Sequence, residues 1–318
     1  MTGRYGTIGE VFYIEEDFWP LNTTLYVKDF RGNDPLFVSY LLRTIDFHSH
    51  SGKSGVPGVN RNDLHELEVT LPPLLEQRAI ATALSDVDTL IRSLDQLIAK
   101  KRSLKQAAMQ QLLTGRRRLP GFEGDWEVRR LGDVVEIVNG GTPKTSIAEY
   151  WDSGIAWCTP TDITATNGKY LSETARTISA LGLANCSARL LPPGALLLCS
   201  RATLGEVKIA AGAVCTNQGF KSLICGDSVN NEFLYYKLLT MRPQMVEKAI
   251  GSTFLEISKK DVALLEIPLP PPCEQTAIAT ILSDMDAEIA ALVRRRDKTR
   301  ALKQGMMQEL LTGRKRLV

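Results

Sequence analysis

The chain has 318 residues, of which 44% are hydrophobic and 23% are charged, and its formal net charge at pH 7 is +2. This composition is typical of an ordinary soluble globular protein. No apolar run approaches the length needed to cross a bilayer and no signal-peptide pattern is present, so the sequence predicts a cytoplasmic protein.

Residues 1–70 form the first globular segment, which carries weak matches to a later part of the chain. Gly9-Glu10-Val11 matches Gly205-Glu206-Val207, for example. The later segment, residues 119–268, has roughly 150 residues, which suits one complete domain. The first segment is therefore expected to be a partial domain that lacks something like 80 residues relative to the second. Either the chain is a truncated gene product or its first domain is completed by another molecule.

Residues 71–118 predict one long helix. Apolar residues step by alternating fours and threes, which is the pattern of a coiled-coil seam: Ile80, Leu84, Val87, Ile91, Leu94 and Ile98. Pro72-Pro73 fixes the entry of the helix and Thr114-Gly115 supplies a C-terminal stop. A helix with one apolar stripe needs a partner helix in water.

Residues 119–268 predict a mixed domain. Val134 to Val138 and Ala195 to Cys199 are short apolar runs bounded by turn residues, which indicates strands. Asn231 to Met241 has helical spacing.

Residues 269–318 repeat the first long helix. Residues 71–119 return as residues 269–317 without a gap, and 29 of the 49 aligned positions are identical. The seam returns as well, at Ile278, Leu282, Met285, Ile289 and Leu292. This duplication predicts an α+β fold of two repeated units, each a mixed α/β domain followed by a long helix. The two long helices are expected to pair as an antiparallel coiled coil.

Charge is distributed unevenly along these segments. Counting Lys and Arg against Asp and Glu gives −4 for residues 1–73, +5 for 74–119, −2 for 120–268 and +3 for 269–318. The globular segments therefore lack the basic character that is usual in nucleic-acid binders. The basic helices suit either solvated faces or phosphate contacts.

Signatures of catalysis and of metal binding are missing. Gly52-Lys53-Ser54 imitates the end of a phosphate-binding loop, but the glycine required five positions earlier is Phe47. The three histidines all lie in the first, shortened segment, and the six cysteines lie in the second half with no Cys-x-x-Cys spacing. We expect no catalytic residue and no metal ligand in this chain, and reduced, partly buried thiols.

Several motifs carry a resemblance that spans the chain. They are the helix opening Pro270-Pro271-Pro272-Cys273-Glu274-Gln275, the helix end Leu310-Leu311-Thr312-Gly313, the domain opening Trp126 to Asp133 with Asn139 to Pro143, the segment Trp157 to Ile163, and Thr216 to Phe220. With the order of domain, helix, domain and helix, they resemble the specificity subunit of type I restriction-modification enzymes. The chain departs from the family pattern in its shortened first domain.

The resemblance implies a function. Each globular part would be a target recognition domain that reads half of a bipartite site in duplex DNA, and the paired helices would set the gap between the half-sites. The helices would also dock two methyltransferase (modification) subunits and, through the assembled enzyme, restriction/translocase subunits. S-adenosylmethionine, ATP and Mg would be bound by those partners and not by this chain, which would be non-catalytic. Adenine methylation would act on a flipped base.

Small, flexible residues beside polar ones suggest which loops would contact DNA, since they let a backbone approach a groove. The candidates are Gly140, Gly141, Thr142, Pro143, Lys144, Ser200, Arg201, Thr203, Gly205, Asn217, Gln218 and Lys221. Asn217-Gln218 would equally suit a capped turn that structures the domain, and Trp151 and Trp157 are expected in the core. Ten seam residues are candidates for helix pairing or methyltransferase docking: Ile80, Leu84, Val87, Ile91, Leu94, Ile278, Leu282, Met285, Ile289 and Leu292.

Three other interpretations stay open. The first is a scaffold that binds only protein. The second is a decayed gene product that is stable through its second unit. The third is a half-subunit that forms a self-dimer to read a symmetric site.

Overall fold

The computed structural model describes residues 1–51, 58–251 and 255–317, so Gly52-Lys53-Ser54 lies outside the described residues. The chain divides into two compact units, each of which contains part of both long helices. Unit 1 comprises Met1–Lys100 and Ala290–Val318, and unit 2 comprises Lys101–Ile289. No helix of the described part is long and apolar enough to cross a membrane.

The two long helices have the lengths and the offset that the repeat predicts. Helix α3 spans Leu74–Leu112 and helix α10 spans Pro272–Leu310, 39 residues each. At about 1.5 Å per residue, each is about 58 Å long. Gly115 and Gly313 follow their ends with φ of 70° and 71°, a conformation that favours glycine and stops a helix.

Unit 1 contains few strands. Its elements in chain order are β1 (Thr2–Gly3), β2 (Thr24–Leu25), α1 (Pro35–Leu42), α2 (Arg61–His65), the first part of α3 and the last part of α10. Strand β1 pairs antiparallel with β2. Asp34 caps α1 by accepting a hydrogen bond from the Phe37 amide, and α1 then packs on both long helices. The cluster that joins them contains Phe37, Tyr40, Leu41, Ile80, Ala81, Leu84, Leu310 and Leu311.

The described residues of unit 2 form three sheets. Its elements are β3 (Glu127–Arg130), α4 (Leu131–Val134), β4 (Val135–Asn139), β5 (Trp151–Cys158), α5 (Pro160–Ala165), β6 (Tyr170–Leu171), β7 (Arg176–Ile178), α6 (Ala180–Ala184), β8 (Leu196–Leu198), β9 (Val207–Ala210), β10 (Cys215–Thr216), β11 (Lys221–Cys225), α7 (Asn231–Thr240), α8 (Arg242–Lys248), α9 (Lys259–Ala263) and β12 (Glu266–Leu269). The predicted strands near residues 134–138 and 195–199 and the helix at 231–241 are therefore present as β4, β8 and α7.

The largest sheet has five strands in the order β4-β11-β8-β9-β6, antiparallel except for the β6–β9 pair. A second sheet has the order β10-β5-β7, and β3 pairs with β12. One face of the five-stranded sheet covers α7, whose Phe233, Leu234 and Tyr236 have no exposed surface. Both mixed domains and their long helices agree with the predicted α+β class.

The long helices run antiparallel within each unit, as predicted. In unit 2, Lys101 and Lys105 of α3 pair with Glu288 and Asp286 of α10, at 2.7 and 2.5 Å. In unit 1, ion pairs join Asp88 to Lys303 at 2.6 Å and Asp95 to Arg296 at 3.4 Å. In both units the residue number rises along one helix as it falls along the other. Apolar packing and ion pairs thus act together along the seam.

Candidate functional site

Two of the three predicted loop segments are brought together by strand register in unit 2. Asn139 at the end of β4 is the pairing partner of Lys221 at the start of β11. The loop that follows β4 therefore starts beside the loop that precedes β11. The amide of Gly141 donates to the carbonyl of Thr216 at 2.8 Å and joins them directly.

Gly140 and Gly141 make this contact possible because they have no side chain. A Cβ atom at Gly140 would collide with the carbonyl group of Asn217, and one at Gly141 would collide with Ser187 and the amide of Ala188. Both glycines are buried. Their role is a close approach of two backbones, which only glycine allows.

The exposed groups of these loops are polar. The Thr142 hydroxyl donates to the side-chain carbonyl of Gln218, and both residues are exposed, as is Lys144. Asn217 is half-buried, and its side-chain oxygen accepts from the Gly219 amide at 2.9 Å. This is the capped turn that the sequence allowed, and it holds Gln218 at the surface.

The third predicted segment, residues 200–205, joins the same cluster. The Ser200 amide donates to the carbonyl of Gly219 at 2.8 Å. The side chain of Arg201 runs beside Gly219, where a Cβ atom would lie 3.5 Å from its Cγ and Nε. Ala202 has φ of 60°, a left-handed conformation that is unusual for alanine and shapes the turn. All three loop segments thus meet at one surface of unit 2.

In addition to Gly140 and Gly141, five of the twelve candidates have little solvent exposure. Pro143, Ser200, Gly205 and Lys221 are buried, and Thr203 is half-buried. The Lys221 ammonium lies 3.4 Å from the Ser200 hydroxyl and 3.5 Å from a carboxylate oxygen of Glu256. These two side chains face the interior, so direct contact of either with a macromolecule is not available in this structure. The exposed candidates are Thr142, Lys144 and Gln218, with Arg201 half-buried.

Two buried tryptophans hold the loop that follows β4 by hydrogen bonds to its backbone. The Trp157 indole N–H donates to the carbonyl of Gly141 at 3.0 Å, and that of Trp151 donates to the carbonyl of Lys144 at 3.2 Å. The rings meet edge to face with centroids 5.0 Å apart. Arg176 of β7 lies over Trp151, with its guanidinium carbon 3.8 Å from the ring centroid. No local pattern in the sequence marks Arg176, because its link to the loop passes through the pairing of β5 with β7.

The ten seam residues differ in burial. Ile80, Leu84, Leu94, Ile278 and Leu282 are at most 4% exposed, and the other five are half-buried. Of these, Ile80 and Leu84 in unit 1 and Ile278 and Leu282 in unit 2 pack against the globular part as well as within the helix pair. Such side chains suit pairing, and docking would use the more exposed positions.

The site offers hydrogen-bonding groups and positive charge. Within the described ranges, no group of three or more His, Cys, Asp or Glu side chains is placed to hold a metal ion. The cysteines of the described part are free thiols, and burial raises the pKa of Cys199 and of Cys215 to about 11 each. These thiols are protonated near neutral pH and are poor nucleophiles.

Comparison with known sequences identifies the family. The family described as "Type I restriction modification DNA specificity domain" matches residues 1–100 and 123–299, which is most of the chain. The chain belongs to this family.

Two relatives of this family come from Methanocaldococcus jannaschii. The type I restriction enzyme MjaIX specificity subunit is 42% identical over 164 residues, which are 51% of this chain and 38% of the relative. The MjaVIII specificity subunit is 26% identical over 301 residues, which are 89% of this chain and 70% of the relative. The chain thus matches well under half of the first relative's length and over two thirds of the second's.

Solved structures of the family share the fold. The HsdS subunit from Thermoanaerobacter tengcongensis is 27% identical with a TM-score of 0.53, over 88% of this chain and 70% of that one. The S subunit of a type I restriction-modification system from M. genitalium has a TM-score of 0.64 at 17% identity, over 98% and 82% of the two chains. The second likeness concerns the fold alone.

Proposed function

We propose that this chain is the non-catalytic specificity subunit of a type I restriction-modification complex. It recognises duplex DNA and directs adenine methylation and DNA cleavage, which partner subunits perform, to a bipartite target. The observation that carries the proposal is the convergence of three loops on one surface of unit 2, in a chain that belongs to the specificity family.

The surface has the chemistry of a DNA reader. Gln218 and Thr142 are exposed, and the amide of a glutamine can pair with adenine through two hydrogen bonds. Lys144 and Arg201 supply positive charge, which holds phosphate groups. The turn at Asn217 and the two indoles fix the loops in place, so little ordering would be needed on binding.

The domain division follows the repeat. Residues 1–70 belong to a first target recognition domain, 71–118 and 269–318 carry the long helices, and 119–268 are the second target recognition domain. The helices provide pairing surfaces and docking surfaces for two modification subunits, and restriction/translocase subunits join the assembled enzyme. S-adenosylmethionine, ATP and Mg bind in those partners.

A methylation map tests the proposal. The chain is co-expressed with its modification subunit in a host without N6-methyladenine, and modified adenines are mapped across the genome. The variant Gln218→Ala is compared with Gln244→Ala, which changes an exposed glutamine in α8. We expect a sequence motif for the wild type and for Gln244→Ala, and an altered or lost motif for Gln218→Ala.

The form of the motif separates the other interpretations. A two-part asymmetric motif indicates that both globular parts read DNA, and a palindromic motif indicates self-dimers that read through unit 2. An assembled, active modification complex that yields no motif would leave only the scaffold or decayed-product interpretation.

A further inference from the structure

We infer that Arg176 and the Trp151 ring beneath it form a phosphate clamp that holds the DNA backbone beside the reading loops. The inference rests on the proposed function. It assigns a contact to a residue that lies 32 positions from Lys144 in the sequence and outside all three loops.

The geometry links Arg176 to the loop surface through a chain of direct contacts. Gln218 bonds to Thr142, the loop continues to Lys144, and the carbonyl of Lys144 accepts a hydrogen bond from the indole of Trp151 at 3.2 Å. The guanidinium of Arg176 lies on the face of the same indole, 3.8 Å from its centroid. Arg176 thus lies over the face of Trp151, while the carbonyl of Lys144 in the loop meets the N–H edge of the same ring.

One face of the Arg176 guanidinium lies against the Trp151 ring, and the side chain is otherwise exposed to solvent. Trp151 is 6% exposed, so packing holds its ring in place, whereas Arg176 is exposed. A guanidinium that lies over an aromatic ring keeps its N–H donors in its own plane, at the edge of the group, where they are free to bond. That arrangement presents a planar fork of donors, which matches the two oxygens of a phosphate group.

Its charge is also uncompensated. Among the residues that the structure describes, Arg176 forms no salt bridge with a carboxylate, and neither do Lys144 and Arg201. By contrast, the exposed Arg189 of the same unit is paired with Glu136. Lys144 and Arg201 belong to the loops and Arg176 is linked to them through Trp151, in a segment whose net charge is −2. A local anion-binding surface therefore exists without a basic domain.

A phosphate is favoured over a base edge because of where the group is mounted. Arg176 belongs to a strand of the β10-β5-β7 sheet and its guanidinium carbon lies 3.8 Å from the centroid of a buried ring, which restricts the reach of the side chain. Thr142 and Gln218 are the exposed polar groups at the junction of the loops and are better placed to enter a groove. Phosphate contacts fix register and orientation while base contacts supply sequence information.

The test measures DNA affinity against salt concentration. The full chain, assembled with its modification subunit, is titrated with the duplex that carries the motif mapped for the wild type. The variant is Arg176→Gln, and the matched control is Arg189→Gln, which removes an exposed arginine that is already paired. Removal of one phosphate contact should weaken binding about tenfold and lower the slope of log K against log salt by about 0.9. Arg189→Gln should bind as the wild type does.

Two further variants guard against misfolding and misassignment. Arg176→Lys keeps the charge and should retain part of the salt slope, whereas Trp151→Phe keeps a ring under the guanidinium but removes the bond to Lys144. Thermal melts of all variants show whether each is folded. If Arg176→Gln is folded and binds as tightly as the wild type, the clamp does not exist.

A different failure is equally informative. A relaxed base preference at one position of the methylated motif in Arg176→Gln would show a base-reading role and overturn the phosphate assignment. Failure of the wild-type complex to bind any duplex would instead overturn the proposed function, and with it this inference.

Discussion

The two units anchor their globular parts on the long helices with the same set of contacts. In unit 1 the Tyr40 hydroxyl donates to Asp88 at 2.8 Å, and Lys303 pairs with the same carboxylate. In unit 2 the Tyr236 hydroxyl donates to Asp286 at 2.8 Å, and Lys105 completes the group. We refer to each group as an anchor triad.

A second contact recurs at the helix starts. The amide nitrogen of Gln77 donates to the carbonyl of Pro72 at 2.9 Å, and that of Gln275 donates to Pro270 at 2.8 Å. The side-chain oxygen of each glutamine also accepts a hydrogen bond from the backbone amide of an N-cap residue. In unit 1 this is Asp34, which caps α1, and in unit 2 it is Asn230, which caps α7. The duplicated sequence thus preserves a complete joint between helix and globular part.

What covers the joint differs between the units. In unit 2 the five-stranded sheet buries α7, and Lys169 bridges Glu232 and Ser283 at 2.8 and 2.7 Å. In unit 1 the described residues leave aromatic side chains such as Trp19 and Phe18 at the surface, 91% and 43% exposed. The joint forms in both settings, so its contacts do not depend on the sheet.

The strongest test of this comparison removes equivalent core leucines. Leu84 and Leu282 are both completely buried, but Leu282 belongs to the larger cluster beneath the sheet. A cavity costs more where its surroundings cannot collapse. We expect Leu282→Ala to reduce the free energy of unfolding by about 4 kcal/mol and Leu84→Ala by about 3 kcal/mol. Chemical denaturation followed by tryptophan fluorescence measures both, and a larger loss for Leu84→Ala would contradict the comparison.

Removing the tyrosine hydroxyl from either anchor triad should lower the free energy of unfolding by equal amounts, which are smaller than those of the leucine variants. Burial, followed by the bond to Asp88, raises the pKa of Tyr40, and burial is likewise the main cause of the raised pKa of Tyr236. Both hydroxyls therefore stay protonated and donate. Loss of either hydroxyl should cost about 1 to 2 kcal/mol, in Tyr40→Phe and in Tyr236→Phe.

Tyr235 supplies the control for the triads. It neighbours Tyr236 and is 8% exposed, and no hydrogen bond of its hydroxyl is seen within the described ranges. Tyr235→Phe should change stability by less than about 0.5 kcal/mol. A loss in Tyr236→Phe with none in Tyr40→Phe would show that only one triad is formed in solution.

The helices and their pairing could be predicted because their signals are local and duplicated. The apolar seam, the prolines and the terminal glycines gave α3 and α10, and the short apolar runs gave β4 and β8. Each of these patterns needs only neighbouring residues and a period.

The surface of the site could be predicted only in part. Glycine and polar residues marked the loops, but the burial of Lys221 depends on which face of the short strand β11 meets the core. Arg176 reaches the site because it pairs with Trp157 across β5 and β7, although the two residues are 19 positions apart in the sequence. No local pattern contains such a relation. Contacts of this kind need the tertiary structure.

A difference in charge gives a pH-dependent test. Lys237 occupies the position after Tyr236, where unit 1 has Leu41 after Tyr40, and its ammonium donates to the carbonyl of Leu113 at 3.0 Å. Burial lowers the pKa of Lys237 below 10.5, so the unfolded chain binds this proton more tightly than the folded chain does. The stability of the wild type relative to Lys237→Met should therefore rise with pH between the lowered pKa and 10.5. Lys248→Met, at an exposed lysine of α8, is the matched control in the same denaturation series.

The smallest effect is expected where unit 1 exposes its aromatic face. Because Trp19 is 91% exposed, Trp19→Ser should change the free energy of unfolding by less than about 0.5 kcal/mol, whereas Phe47→Ala, at a residue 2% exposed in the same unit, should cost about 3 kcal/mol. Denaturation of both variants at several protein concentrations checks this. A loss above about 1 kcal/mol for Trp19→Ser that grows with concentration would mean that another chain covers this face in solution. The two units would then differ in which molecule covers the joint, and not in whether it is covered.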